Sequence, residues 1–139
     1  QKARYMMKDL ADWSRAFGLV IKWPSIFPVR AVSAMRAVVV ADDHGKLPEL
    51  SKALFHAYWG EDRDIASPEV LSALCKQVGL SWDDLAAAMA SDAVKERLKR
   101  NTQELIDRGG FGSPTMFVDG EDMYFGNDRL FLVEQALKR

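Results

Sequence analysis

The sequence predicts an α/β chain, helical over roughly its first 108 residues and closed by a strand–strand–helix unit from Gly110 to Arg139. Two observations carry this. Apolar residues recur at the three- and four-residue spacing of helices up to Ile106, in stretches bounded by Ser, Pro and Gly. After Gly109 the period shortens to that of strands, and Asp119-Gly120 falls between two β-prone runs.

The elements follow in order. Met6, Leu10, Trp13 and Phe17 share one face of a helix over Arg4 to Phe17, and Gly18 stops it. Leu19 to Pro28 is an extended connector, because Pro24 and Pro28 remove two backbone donors and bias the preceding residues away from helix. A second helix fills Val32 to Ala41 and ends at Asp42-Asp43-His44-Gly45. Pro48 opens a third, with Leu50, Leu54, Ala57 and Tyr58 on one face up to Gly60. Ser67 caps a fourth that turns Leu71, Leu74 and Val78 inward and stops at Gly79. Ser81 and Asp84 have capping-box-like spacing for a short fifth helix through Met89, and Ser91 starts a sixth that runs to Gly109. Thr115 to Val118 and Met123 to Phe125 form a hairpin, and Leu130 to Leu137 returns to helix. The natural division is 1–108, all helical, and 109–139, the closing unit.

Composition narrows the function classes. With 48% hydrophobic and 28% charged residues the chain has the balance of a soluble globular domain. Nineteen basic against twenty acidic side chains give a net charge of -1 with no long block of either sign, which argues against nucleic acid as a partner. Apolar runs such as Ala37 to Ala41 fall far short of the ~20 residues of a membrane span. Cys75 is the only cysteine, so the chain holds no internal disulfide, CxxC pair or cysteine-rich zinc site, and a reducing, cytoplasmic setting is expected. Cys75 falls on or beside the apolar face of the fourth helix and reads as a small buried hydrophobe. His44 and His56 lack partners at metal-ligand spacing. The first residue is Gln1 rather than Met, so the chain is expected to begin partway into a longer protein.

Two places could carry chemistry. In Phe111-Gly112-Ser113-Pro114-Thr115 a proline precedes a strand, where its missing donor costs nothing. On spacing alone the Ser113–Pro114 bond is expected trans, cis being found in about 5–6% of X–Pro bonds in folded proteins. A cis bond would present the Ser113 backbone to an extended peptide as a sheet edge does. The second place is Gly126-Asn127-Asp128-Arg129, before the last helix. Asn127 and Asp128 read first as helix caps. Alternatively, free N–H groups there accept a carboxylate while Asp128 faces an ammonium group, so that one turn reads both charges of an α-amino acid.

These residues, with Val118-Asp119-Gly120, Tyr124-Phe125 and Leu132, resemble the closing part of 2-hydroxychromene-2-carboxylate isomerases and their kappa-class glutathione transferase relatives. Lys2-Ala3-Arg4-Tyr5, Asp9-Leu10, Phe27-Pro28 and Ala34-Met35-Arg36 are similar to the helical insertion of the same family. The resemblance implies a thioredoxin-like, DsbA-like α/β fold interrupted by an all-helical domain. It implies glutathione as cofactor, with Ser113 and Pro114 forming a cis-proline loop against its cysteinyl part, Asn127 and Asp128 holding its γ-glutamyl end, and Lys2 near the active site. The family's catalytic serine, on a strand–helix–strand before the insertion, has no counterpart after Gln1. The implied activity of the complete protein is glutathione-dependent isomerisation of an aromatic-derived carboxylate, by a cytoplasmic homodimer without metal, membrane or nucleic acid. The alternatives are a kappa-type glutathione transferase and a catalytically incomplete binding module.

Overall fold

A computed structural model of the chain describes residues Gln1–Arg139. Two compact units divide it, Gln1–Lys95 and Glu96–Arg139.

The first unit is built around α2 (Val32–Asp43), whose Ala34, Ala37 and Ala41 lie on one face and are completely buried. Small side chains at that spacing let neighbouring helices approach closely. Against α2 pack α3 (Leu47–Phe55) and α5 (Trp82–Ala90), and α4 (Pro68–Gln77) packs on both of these. Leu50 and Leu54 of α3, Leu71 and Leu74 of α4, and Leu85 and Met89 of α5 fill the space between them. The caps expected from sequence are present. Ser67 Oγ accepts from the Val70 N–H at 3.4 Å, and Ser81 Oγ from that of Asp84 at 3.5 Å. Each such cap contributes about 1 kcal/mol. Cys75 is fully buried among these helices, and burial pushes its thiol up from the ordinary value.

Two features depart from a simple reading of the periodicity. The third helix does not run as α-helix to Gly60, because His56–Gly60 is a π-helical turn. The face expected there is nevertheless kept, with Leu50, Leu54, Ala57 and Tyr58 all buried. The first helix, α1 (Lys2–Phe17), buries no residue, and Met6 and Phe17 on its apolar face are 60% and 59% exposed. Gly18 ends it at φ 64°.

The connector Leu19 to Pro28 is neither helix nor strand and bends at Ser25, Ile26 and Pro28, and side chains distant in sequence hold it. Tyr58 donates its hydroxyl to the Ile26 carbonyl at 2.8 Å, and both the N–H and the hydroxyl of Ser25 donate to Asp62 Oδ1, at 2.7 and 3.0 Å. The Lys22 N–H reaches the Trp59 carbonyl at 2.6 Å. The Trp23 and Phe27 rings meet at a tilt of 49° with centroids 4.7 Å apart, and Trp59 stands edge-on to Trp23 at 6.2 Å.

The division between units falls within α6 (Asp92–Asp107). The second unit adds strands β1 (Thr115–Val118) and β2 (Asp122–Phe125), a 3-10 turn at Asn127–Arg129 and helix α7 (Leu130–Ala136). The strands are antiparallel, with Thr115 opposite Phe125 and Val118 opposite Asp122. Asp119 and Gly120 take φ of 49° and 89°, the positive values for which Asp-Gly is suited. Val118 on β1 and Ala136 on α7 are buried where that helix meets the hairpin.

Candidate functional site

Four of the five residues singled out from sequence come together at one end of the hairpin. Because Thr115 pairs with Phe125, the residues just outside the ladder, Pro114 and Gly126, are neighbours, and the Gly126 N–H donates to the Pro114 carbonyl at 3.0 Å. Ser113 is thereby set beside the turn that carries Asn127 and Asp128. The Ser113–Pro114 bond is cis, as is Phe27–Pro28. Thr115 Oγ1 donates to the Gly112 carbonyl at 2.6 Å and closes the loop from inside. Lys2, the fifth residue, is exposed at the first turn of α1 in the other unit.

Two glycines are required by close approach. A Cβ on Gly112 would stand 2.7 Å from Cε2 of Phe125, whose ring also packs at 4.6 Å on Phe111. A Cβ on Gly126 would stand 2.7 Å from Oδ1 of Asp128, and Gly126 has φ 102°, a value L side chains rarely adopt. Gly126 therefore allows the Asp128 carboxylate to fold back over the turn.

The capping role expected for Asn127 and Asp128 is not what the structure shows. Neither side chain bonds a helix N–H, and Gly126 and Arg129 occupy the cap positions of the 3-10 turn and α7. Asp128 Oδ2 instead accepts from Arg129 Nη1 at 2.5 Å. Its Oδ1 remains for another donor. Ser113, Asn127 and Asp128 are all exposed. The backbone N–H groups of Ser113, Asn127 and Asp128 are not used by the turn's hydrogen bonds, in which Gly126 and Arg129 donate. One carboxylate and several N–H donors thus face solvent within a few residues. Chemically this arrangement suits a peptide-like zwitterion: donors for a carboxylate and a backbone, an acceptor for an ammonium group.

Arg108, which sequence reasoning passed over, anchors this end of the chain. Its guanidinium lies 3.5 Å from the centre of the Phe117 ring, donates through Nη2 to the Gly120 carbonyl at 2.5 Å and pairs through Nη1 with Glu104 at 3.1 Å. An arginine in the last turn of the predicted sixth helix gives no signal for this in the sequence. Replacing Arg108 by alanine is expected to destabilise the hairpin by about 1–2 kcal/mol, and lysine, lacking the planar fork, to restore little of it. Faster exchange of the strand amides in both variants is the readout, and unchanged exchange would refute the anchor. On β2, Tyr124 donates its hydroxyl to Asp122 Oδ2 at 2.7 Å, which raises the tyrosine above its ordinary value.

The chain is similar to known proteins in both sequence and fold. The chain is 33% identical over 141 residues to a 2-hydroxychromene-2-carboxylate isomerase of Pseudomonas putida, covering 99% of this chain and 66% of that protein. It is 29% identical to human glutathione S-transferase kappa 1, again covering 99% of this chain and 66% of the relative. The solved structure of a 2-hydroxychromene-2-carboxylate isomerase superposes with a TM-score of 0.86 at 28% identity, over 99% of this chain and 66% of that one. The chain thus spans just under two thirds of the length of these relatives, which are named as isomerases and glutathione transferases. The family model of the DSBA-like thioredoxin domain matches residues 1–138. Its expected thioredoxin-like fold, mostly helical with a small sheet, accords with these matches, and the chain belongs to the DsbA-like thioredoxin domain family.

Proposed function

We propose that the complete protein is a glutathione-dependent isomerase of the 2-hydroxychromene-2-carboxylate type, acting on an aromatic-derived carboxylate. The observation that carries this is the bond from Gly126 to Pro114, which sets the Ser113 backbone beside the Asn127–Asp128 turn. The donor set fits glutathione. In this reading Ser113 pairs with the cysteinyl part of the tripeptide, the free N–H groups of Asn127 and Asp128 take its γ-glutamyl carboxylate, and Asp128 Oδ1 takes the ammonium. Lys2 belongs near the reacting group, residues 1–108 are the helical insertion, and 109–139 close the thioredoxin-like domain. When bound, glutathione supplies a thiol whose reversible addition to a conjugated C=C permits rotation about that bond. The part of this chain is to hold and orient the tripeptide. A homodimer in the cytoplasm belongs to the same reading.

Similarity to the human kappa transferase supports a second reading, in which the thiol stays attached to an electrophile. The test is incubation of the full-length protein with 2-hydroxychromene-2-carboxylate, with and without glutathione. Isomerisation that requires glutathione and leaves it unconsumed is the expected result. Consumption of glutathione into an adduct supports the transferase instead, and isomerisation at equal rate without glutathione overturns both.

A further inference from the structure

We infer that Phe111, backed by Phe125, holds the aromatic ring of the substrate beside the Ser113–Pro114 loop and so selects aromatic carboxylates over saturated ones. The choice of occupant rests on the isomerase reading above, and every residue involved lies within the Glu96–Arg139 unit. Exposed apolar side chains occur along the whole chain, from Tyr5 to Leu137, so exposure by itself assigns nothing. Phe111 is set apart by its place and by the way the loop is built around it.

Phe111 is 72% exposed, although its ring meets that of Phe125 at a centroid separation of 4.6 Å and a tilt of 48°. The pair fixes the Phe111 ring on one side and leaves most of it open to solvent. Phe125 in turn lies against Gly112, where a Cβ would stand 2.7 Å from the ring's Cε2. Thr115 Oγ1 holds the Gly112 carbonyl at 2.6 Å. The pairing of Phe125 with Thr115 brings ring and loop together. The backbone next to Phe111 is thus locked by β1 and covered by β2. Its ring is set in place before any ligand arrives, which lowers the ordering cost of binding.

Distance selects the occupant. Phe111 precedes Ser113 by two residues, so their Cα atoms are at most about 7 Å apart. In the proposed site the cysteinyl part of glutathione pairs with the Ser113 backbone, which puts the thiol beside this loop. The C=C to which that thiol adds is conjugated with the ring in a substrate of the 2-hydroxychromene type, so the ring lies close to the sulfur when the two react. Of the residues within two positions of Ser113, namely Phe111, Gly112, Pro114 and Thr115, Phe111 alone offers a π-face. Ring–ring contact adds attraction beyond the apolar area it covers, and a saturated skeleton forgoes it.

Calorimetric titration of the full-length protein with 2-naphthoate and decahydro-2-naphthoate tests this, with glutathione titrated separately. The two carboxylates share a carbon skeleton and differ in the π-system. Saturable one-to-one binding of 2-naphthoate is expected, tighter than that of its saturated counterpart. Phe111→Ala should weaken 2-naphthoate by about tenfold, and Phe111→Tyr should keep it within about twofold. Phe111→Leu, which retains apolar bulk without a π-face, should lose the preference for the aromatic compound. Glutathione affinity should be the same in all three. The position is exposed, a thermal melt of each variant confirms folding, and Phe111→Leu decides if Phe111→Ala melts early. Equal 2-naphthoate affinity in wild type and Phe111→Ala overturns the proposal. So do tighter binding of the saturated compound by the wild type and a parallel loss of glutathione and 2-naphthoate in the variants. The two readings fail separately. A wild type that binds 2-naphthoate through Phe111 without binding glutathione contradicts the glutathione reading and supports the ring site, whereas one that binds glutathione and not 2-naphthoate does the reverse.

Discussion

Replacing Asp128 by alanine lowers the affinity of the full-length protein for glutathione by roughly one to two powers of ten, if the carboxylate receives the ligand's ammonium group. The estimate follows from the loss of one charge-assisted hydrogen bond, about 1.5–3 kcal/mol. Stability is expected to change little. Asp128 caps no helix, and its pair with Arg129 is exposed, where such pairs contribute about 0–1 kcal/mol. The two readouts therefore separate cleanly. Calorimetry shows a large loss of affinity while the melting temperature barely moves. Equal affinity in wild type and variant would remove Asp128 from the site.

The second large effect concerns the helical unit. Leu50 of α3 is completely buried, and truncation to alanine leaves a cavity that closely packed helices fill only in part. A loss of about 2–5 kcal/mol is expected, measured by denaturant unfolding. Phe55, five residues further along and exposed, provides the contrast, with Phe55→Ala costing far less. Comparable losses at both positions would contradict the assignment of the core to the Leu50 face.

Helix starts were legible in the sequence because they are local. Ser67-Pro68 and Ser81 carry their own capping chemistry, and the structure finds both. The hairpin was legible for the same reason, since Asp119-Gly120 accepts positive φ without help from the rest of the chain. What sequence did not reveal is set by partners far apart. The connector is held by Tyr58 and Asp62, more than 30 residues away, and no local pattern announces either bond. The π-helical turn escaped because it preserves the buried face that an α-helix would have given. At the candidate site the residues themselves were visible, while their arrangement was not. Asn127 and Asp128 have the side chains of caps, but Gly126 at φ 102° takes the cap position and Arg129 engages the carboxylate. The tie from Gly126 to Pro114 follows from strand register, which requires the hairpin to be formed first.

The central claim is that glutathione is held by the Ser113–Pro114 loop and the Asn127–Asp128 turn acting together. Amide chemical shifts of the isotopically labelled full-length protein, followed through a glutathione titration, test it most directly. The account predicts that the Ser113, Asn127 and Asp128 amides move in parallel and saturate at the calorimetric affinity, while amides at the α4–α5 connection around Gly79 stay fixed. Saturable glutathione binding that leaves the Ser113, Asn127 and Asp128 amides unmoved, or no binding at all, would contradict it.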